Sequence, residues 1–246
     1  MTDAARCLAL LERDLEHAEA LALEARARAP NLGVETVAIP DAMGMLRFHK
    51  GEWDEAASLF QAARDVALRQ GDRTGEFRAL EHLAVLELER ERPEAARALC
   101  RSLVDVSAKL REGSEAPFAR CLAALAAAGE DTTNEIGAAL ESLRMADAKH
   151  RLAYALLRAT FGDFARGDVD KAGARAQEAL RLAEILERPS ETAMAHVVLL
   201  RCALSKGAAV EAERHAQALR ATNMTQVATH VRRAAEQILS TITNGT

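Results

Sequence analysis

The sequence contains few of the residues that β-sheets and large mixed cores need. Aromatic side chains make up only 3% of the 246 residues, with one Trp and one Tyr. Proline occurs five times and glycine 13 times, which leaves little material for the turns between many short strands. Almost half of the chain, 49%, is nevertheless hydrophobic, and most of that is alanine and leucine. This composition predicts thin layers of packed helices, and therefore an all-α protein.

The chain also lacks an excess of positive charge. Its formal net charge is −5, and arginine alternates with glutamate and aspartate along most of its length. A domain that binds nucleic acid usually has a basic face that displaces counterions from phosphates. We therefore expect no direct contact with nucleic acid.

Cysteine and histidine do not occur at metal-ligand spacing. Cys7, Cys100, Cys121 and Cys202 are far apart, and none belongs to a C-x-x-C pair. We interpret them as free thiols in a reducing compartment, and we expect no metal site. The N-terminal stretch MTDAARCLALLERD has acidic residues where a signal peptide needs basic ones, and no apolar run is long enough to span a bilayer. These features predict a cytoplasmic protein without membrane contact.

Short catalytic motifs are absent from the sequence as well. It has no G-x-x-x-x-G-K loop, no His-Glu-x-x-His and no histidine pair four residues apart. No serine or cysteine has the strand–turn–helix setting of a nucleophile elbow. We therefore expect no catalytic residue, no cofactor and no enzyme activity.

What the chain does contain is an internal repeat. The stretches KGEWDEAASLF, RGDVDKAGARA and KGAAVEAERHA begin at residues 50, 166 and 206, and each has a basic residue and a glycine ahead of an apolar helix. Equivalent turn positions recur every 38 to 40 residues, near 13, 51, 91, 129, 167 and 207. Each period holds two helical patterns, so the repeating unit is a helix pair. One such pair has apolar stripes on more than one side and buries them only by stacking on its neighbours.

The repeated stretches resemble tetratricopeptide repeats, in which a glycine-containing turn is followed by a large residue and then by alanine. The matching positions are Gly51, Trp53, Ala56 and Phe60 in one copy and Gly167, Val169 and Ala172 in another. The period exceeds the usual length of about 34 residues. In this respect the chain resembles the long-repeat C-terminal domains of bacterial signalling ATPases, maltose-regulon-type transcription activators and ATPase-linked nucleotide cyclases.

This resemblance implies one domain over residues 1–246, a right-handed α–α superhelix of about six antiparallel helix pairs. Residues 223–242 are expected to form an unpaired C-terminal capping helix, started by Asn223 and Gln226. The short N-terminal helix, by contrast, has no polar cover. From this we expect either a fragment of a longer protein or a homodimer that covers this end.

In tetratricopeptide-type superhelices the first helix of each pair lines a concave surface, where peptides lie. Carried over in register, this rule predicts a binding site at Asp41, Met45, Phe48, Arg78, Glu81, Tyr154, Phe161, Met194 and Arg201. The expected function is protein or peptide binding by the interaction or sensor part of a bacterial signalling or transcriptional regulator. The alternatives are a sensor for a small ligand and an oligomerisation scaffold. For the apolar residues of this set, the alternative to a binding role is burial in the core between repeats.

Overall fold

The computed structural model describes residues 2–10, 12, 14–32, 35–110, 113–127 and 132–243. These residues form thirteen α-helices, one short 3₁₀ helix and no strand. The α-helices are α1 (Thr2–Leu10), α2 (Leu15–Leu32), α3 (Ala38–Lys50), α4 (Trp53–Gln70), α5 (Arg73–Glu89), α6 (Pro93–Ser107), α7 (Glu115–Ala126), α8 (Thr133–Met145), α9 (Lys149–Ala165), α10 (Val169–Ile185), α11 (Pro189–Ser205), α12 (Ala209–Ala221) and α13 (Thr229–Thr243).

The chain divides into two compact units, Met1–Ser142 and Leu143–Thr246, where a single domain was expected. In the first unit α1 packs on α2, α3 on α4 and α5 on α6, and each pair also contacts the helix that follows it. Small side chains lie where the helices of a pair meet. Ala56 at the start of α4 and Ala96 at the start of α6 are fully buried.

The second unit has the same plan. Helix α9 packs on α10, α10 on α11 and α11 on α12, and Ala172 near the start of α10 is fully buried. Helix α13 then packs against α11 and places Val231 and Ala235 in the core. Helices that are neighbours in sequence are therefore neighbours in space, and the expected fold class, an all-α helical repeat, is confirmed.

The C-terminal helix begins later than the sequence predicted. Asn223 accepts a hydrogen bond from the amide of Thr225 and so caps only the 3₁₀ helix Met224–Gln226. Val227 is extended, and the amide of Ala228 donates to the Ser190 hydroxyl at the start of α11 at 2.9 Å. Helix α13 therefore starts at Thr229 and not at residue 223, because the chain first returns to α11.

Seven of the described helices end on a residue with left-handed backbone, and within each unit these ends recur about every 20 residues, half of the period found in the sequence. Positive φ occurs at Gly51, Gly71 and Glu91 in the first unit, and at Asp147, Gly167, Glu187 and Gly207 in the second. At each position two amides return to the last turn, as in Gly167 to the Phe164 carbonyl at 3.0 Å and Asp168 to the Asp163 carbonyl at 2.9 Å. The backbone unit is thus one helix of about 20 residues with a Schellman-type end. The turn position expected near residue 13 lies between Glu12 and Asp14, which both have positive φ, and the one expected near residue 129 lies outside the described residues.

The left-handed helix ends generate a stability prediction. Gly167 has a φ of +76°, and a Cβ added there would meet no atom within 4 Å, so Gly167→Ala costs backbone strain alone. We expect a loss of about 1 kcal/mol in the free energy of unfolding, measured by urea denaturation. The control is Gly137→Ala within α8, where the added methyl group also meets nothing within 4 Å. That change should stabilise the protein by about 0.5–1 kcal/mol, and equal effects at the two glycines would contradict this account.

The buried alanines generate a second prediction. Replacing Ala172 by leucine should overpack the contact between α9 and α10 and lower the free energy of unfolding by about 1–3 kcal/mol. Ala174 lies two residues further along the same helix and is exposed, so Ala174→Leu is the matched control and should leave stability nearly unchanged. An unaltered melting temperature for Ala172→Leu would show that the helix contact has been assigned to the wrong residue.

Candidate functional site

The predicted groove residues are distributed over both compact units. In the first unit Asp41, Met45 and Phe48 lie on α3, and Arg78 and Glu81 lie on α5. In the second unit Tyr154 and Phe161 lie on α9, and Met194 and Arg201 lie on α11. Each group therefore lies on two alternate helices of its own unit.

In the first unit the structure brings Asp41 and Arg78 together and adds His82. One carboxylate oxygen of Asp41, Oδ1, is 2.8 Å from Nδ1 of His82, and the other, Oδ2, is 3.8 Å from Nη1 of Arg78. Asp41 is fully buried, and its Oδ2 atom has no hydrogen-bond donor within reach. The carboxylate therefore ties α5 to α3 from inside the unit and is not presented to a partner.

Packing around Gly44 explains why His82 can reach Asp41. A Cβ on Gly44 would come within 2.5 Å of the Phe60 ring, so only glycine lets that ring lie directly against α3. The His82 ring then rests against Phe60, with 4.9 Å between ring centroids. His82 was missed by sequence reasoning, although it lies one helical turn after Arg78 and so shares a face of α5 with it.

The other predicted residues of the first unit also belong largely to its interior. Met45 and Phe48 pack against a core cluster that includes Phe60, and Glu81 is buried. The alternative considered for the apolar residues, a place in the core between repeats, therefore applies to Met45 and Phe48. Asp41 and Glu81 were predicted to be accessible, and the structure buries both because helix packing needs their positions.

In the second unit the predicted residues include an exposed apolar surface. Phe161 is 42% exposed, and the Arg158 guanidinium lies over its ring at 4.6 Å. One turn further along α9, Phe164 lies under the guanidinium of Arg201 at 4.3 Å. Leu204, one turn beyond Arg201 on α11, is 43% exposed. We call Arg158, Phe161, Phe164, Arg201 and Leu204 the α9–α11 face.

The repeat accounts for this juxtaposition. Phe161 and Arg201 both precede a left-handed glycine by six residues, and Phe164 and Leu204 precede the same glycines by three. Because consecutive first helices contact one another in this unit, equivalent positions become neighbours. Sequence reasoning identified Phe161 and Arg201 but missed Arg158, Phe164 and Leu204, which the 40-residue offset between Gly167 and Gly207 could have indicated.

Tyr154 and Met194 lie at the other end of these helices. Tyr154 is half-buried, one turn before Arg158 on α9. Met194 is half-buried too, and it packs against the cluster formed by α11, α12 and α13. Met194 therefore contributes to the packing of the C-terminal helix, and the accessible part of the predicted set is the end of α9 and α11 near Phe161 and Arg201.

The acidic residues of α9 and α11 are all withdrawn from solvent. Asp163 is the only one on α9, and its Oδ2 lies 2.6 Å from Nη1 of the buried Arg175. Glu191 is the only one on α11, and Arg188 binds it at 2.7 Å. Burial alone would raise the pKa of Glu191, but the charges of Arg188 and His150 outweigh it and hold that pKa below its usual value. Arg201, by contrast, has no carboxylate within 4 Å in the described part of the chain.

A histidine pair joins α11 to α12. The Nδ1 atoms of His196 and His215 are 3.1 Å apart, and Arg214 donates to Nε2 of His215 at 3.2 Å. Since arginine only donates, a neutral His215 carries its proton on Nδ1 and donates it to His196. Burial, together with the charges of His196 and Arg214, lowers the pKa of His215 to about 4, and burial lowers the pKa of His196.

The described residues outside these clusters provide no metal site, and two of their buried thiols are unreactive. They contain no group of three or more His, Cys, Asp or Glu side chains that could hold a metal ion. Burial raises the pKa of Cys100 to about 12 and also raises that of Cys202, so neither thiol forms a reactive thiolate near neutral pH. A niche between Leu23 and Arg47 encloses about 190 Å³, which is smaller than the pockets of roughly 300–1,000 Å³ that hold small ligands.

Comparison with known proteins agrees with this geometry. Residues 35–109, which comprise α3 to α6, match the family model of the tetratricopeptide repeat. Such repeats generally mediate protein–protein interaction and are generally non-catalytic, and the match supports a helical-repeat binding module. The crystal structure of BtubC (BKLC) from P. vanneervenii is similar in fold, with a TM-score of 0.54 and 21% identity over 96% of this chain and 93% of that one. No curated protein matches the sequence.

None of the described helices is long and apolar enough to cross a membrane.

The histidine pair generates a prediction about pH. Unfolded histidine takes up a proton near pH 6.5, whereas folded His215 does so only near pH 4, so acidification favours the unfolded chain. We expect the free energy of unfolding to fall by about 1–3 kcal/mol between pH 6.5 and pH 4, measured by urea denaturation. In His215→Gln this loss should shrink, whereas the exposed control His17→Gln should keep it. The same loss in both variants would assign the effect to other groups.

Proposed function

We propose that this protein is a non-catalytic binding module that holds a protein or peptide segment on the first helices of its repeats, with the α9–α11 face as the main contact. The proposal is supported by the tetratricopeptide match over residues 35–109 and by the helical-repeat fold. The observation that carries it is the exposure of Phe161 and Leu204 beside two arginines on adjacent helices. Aromatic and arginine side chains dominate the energetics of protein interfaces.

The second unit favours an extended or helical segment over a small molecule as the bound species. Phe161 and Leu204 lie on a surface formed by two helices, and their exposed fractions are similar, 42% and 43%. A segment laid across such a surface gains from several modest apolar contacts, whereas a small ligand needs a concave site that covers most of its area.

The wider role that we propose rests on the resemblance to repeat domains of bacterial signalling ATPases and transcription activators. In such a setting, the segment bound by the repeats would bias the arrangement of successive helix pairs and so affect an attached domain. The repeat contacts suit this role, because each helix pair is held mainly by its sequence neighbours.

Selection from a random peptide library displayed on phage tests the proposal, because a random library samples many possible partners at once. We expect the protein to enrich a family of related peptides, and we expect Phe161→Ala to weaken the resynthesised peptide by about tenfold or more in a fluorescence anisotropy titration. The matched control is Ile185→Ala at the end of α10, which removes another side chain that is exposed, at 67%. That variant should bind like the wild type.

Two results would contradict the proposal. One is a failure to enrich any peptide family over the bare support. The other is a peptide whose affinity is lowered by Ile185→Ala and not by Phe161→Ala, which would locate binding on the second helices. Thermal unfolding monitored by circular dichroism should give both variants the wild-type midpoint, so that a loss of binding is not a loss of fold.

A further inference from the structure

We infer that the α9–α11 face binds an acidic segment that carries large apolar side chains. This inference rests on the proposed function and specifies the chemistry of the partner. It comes from the α9–α11 face, where Arg201 is exposed while the acidic side chains of both helices are buried.

None of the five residues of the α9–α11 face is acidic, although the whole chain has a net charge of −5. The only acidic side chains of α9 and α11 are Asp163 and Glu191, and both are buried and paired with arginines inside the unit. Arg201 is exposed and stacks on Phe164, and the half-buried Arg158 stacks on Phe161. Within the face, the accessible charge is therefore the positive charge of Arg201.

The second helices carry charges of both signs. Exposed carboxylates occur along α10 and α12 and at their ends, namely Asp170, Glu184, Glu187, Glu211 and Glu213, and exposed arginines alternate with them, namely Arg181, Arg214 and Arg220. An acidic segment therefore gains more on α9 and α11, which expose no acidic side chain of their own. Charge complementarity of this kind selects partners and orients their approach.

Arg201 is positioned to bind a carboxylate of a partner. Its guanidinium is held over the Phe164 ring at 4.3 Å, and the described part of the chain supplies no carboxylate within 4 Å. A guanidinium stacked on a ring keeps its N–H groups pointing outward at the edge, and these donors match the two oxygens of a carboxylate. Stacking also limits the side-chain entropy that binding would otherwise cost.

The apolar part of the partner is indicated by Phe161 and Leu204. They lie on different helices, three residues before Phe164 and three residues after Arg201, and both are more than two-fifths exposed. A bound segment covers them with aromatic or aliphatic side chains while one of its carboxylates reaches Arg201. Burial of apolar area then supplies affinity, and the ion pair supplies selectivity.

A nucleic acid is the other anionic partner to consider, and the geometry favours the peptide. Single strands bind proteins by stacking bases on open aromatic rings along a continuous basic groove. Here a guanidinium covers one face of each ring, and the exposed carboxylates of α10 and α12 interrupt any longer basic track. Phosphate along a strand would meet those carboxylates, whereas a short acidic segment would not.

The test uses the peptides enriched on the wild-type protein and compares their composition with that of the unselected library. We expect enriched peptides to contain glutamate or aspartate next to aromatic or aliphatic residues. We expect Arg201→Glu to raise their Kd by about tenfold or more. Arg201→Gln, which removes the positive charge without adding a negative one, should give a smaller loss, and affinity for the wild type should fall as salt is raised.

The matched control is Arg181→Glu, a change of the same charge at an exposed arginine of α10 that should leave binding unaltered. Replacing each acidic residue of the peptide by its amide should lower affinity for the wild type and leave affinity for Arg201→Gln nearly unchanged. A labelled random single-stranded RNA pool is titrated in parallel, and it should bind no more tightly to the wild type than to Arg201→Glu.

The outcomes separate this inference from the proposed function. Enriched peptides that are neutral or basic, or that bind Arg201→Glu as well as the wild type while still requiring Phe161, overturn the acidic partner and leave peptide binding in place. Arg201-dependent binding of the RNA pool in the absence of peptide binding overturns the inference in favour of nucleic acid. No enriched peptide family at all overturns both proposals.

Discussion

The structure depends on the contact between the two helices of each pair, which is made by small side chains. Ala56, Ala96 and Ala172 are fully buried where second helices begin, so the backbones approach closely and leave apolar stripes on the outer sides of the pair. Those stripes must be covered by the next pair, since an isolated helix hairpin buries too little area to fold. Each compact unit grows by repeating this one contact.

Repetition also explains the chemistry of the α9–α11 face. Left-handed helix ends at Gly167 and Gly207 set the two first helices in the same register, and side chains at equal distances from those ends become neighbours. Phe161 and Arg201, and likewise Phe164 and Leu204, are thereby brought to one face from positions 40 residues apart. The acidic residues of these helices are used internally, in the pairs of Asp163 with Arg175 and of Glu191 with Arg188.

Much of the fold could be predicted because the repeat contains residues with strong local backbone preferences. Glycine at 51, 167 and 207 indicated left-handed helix ends, and the period of the repeat predicted the turn at Glu91, whereas the ends at Asp147 and Glu187 fall between the predicted turn positions. Burial was harder to foresee, because Asp41 looks like a groove residue until His82 and Phe60 enclose it. The start of α13 depended on Ser190, which binds the amide of Ala228 from 38 residues away, and periodicity carries no information on such a contact.

The central claim is that the first helices of the second unit hold a bound segment. It is tested most directly by a peptide from the selection that carries a photo-reactive benzophenone group, cross-linked to the wild-type protein and mapped by mass spectrometry. The account predicts cross-links on α9 and α11, concentrated around Phe161 and Leu204. Cross-links confined to α10, α12 or α13 would contradict it.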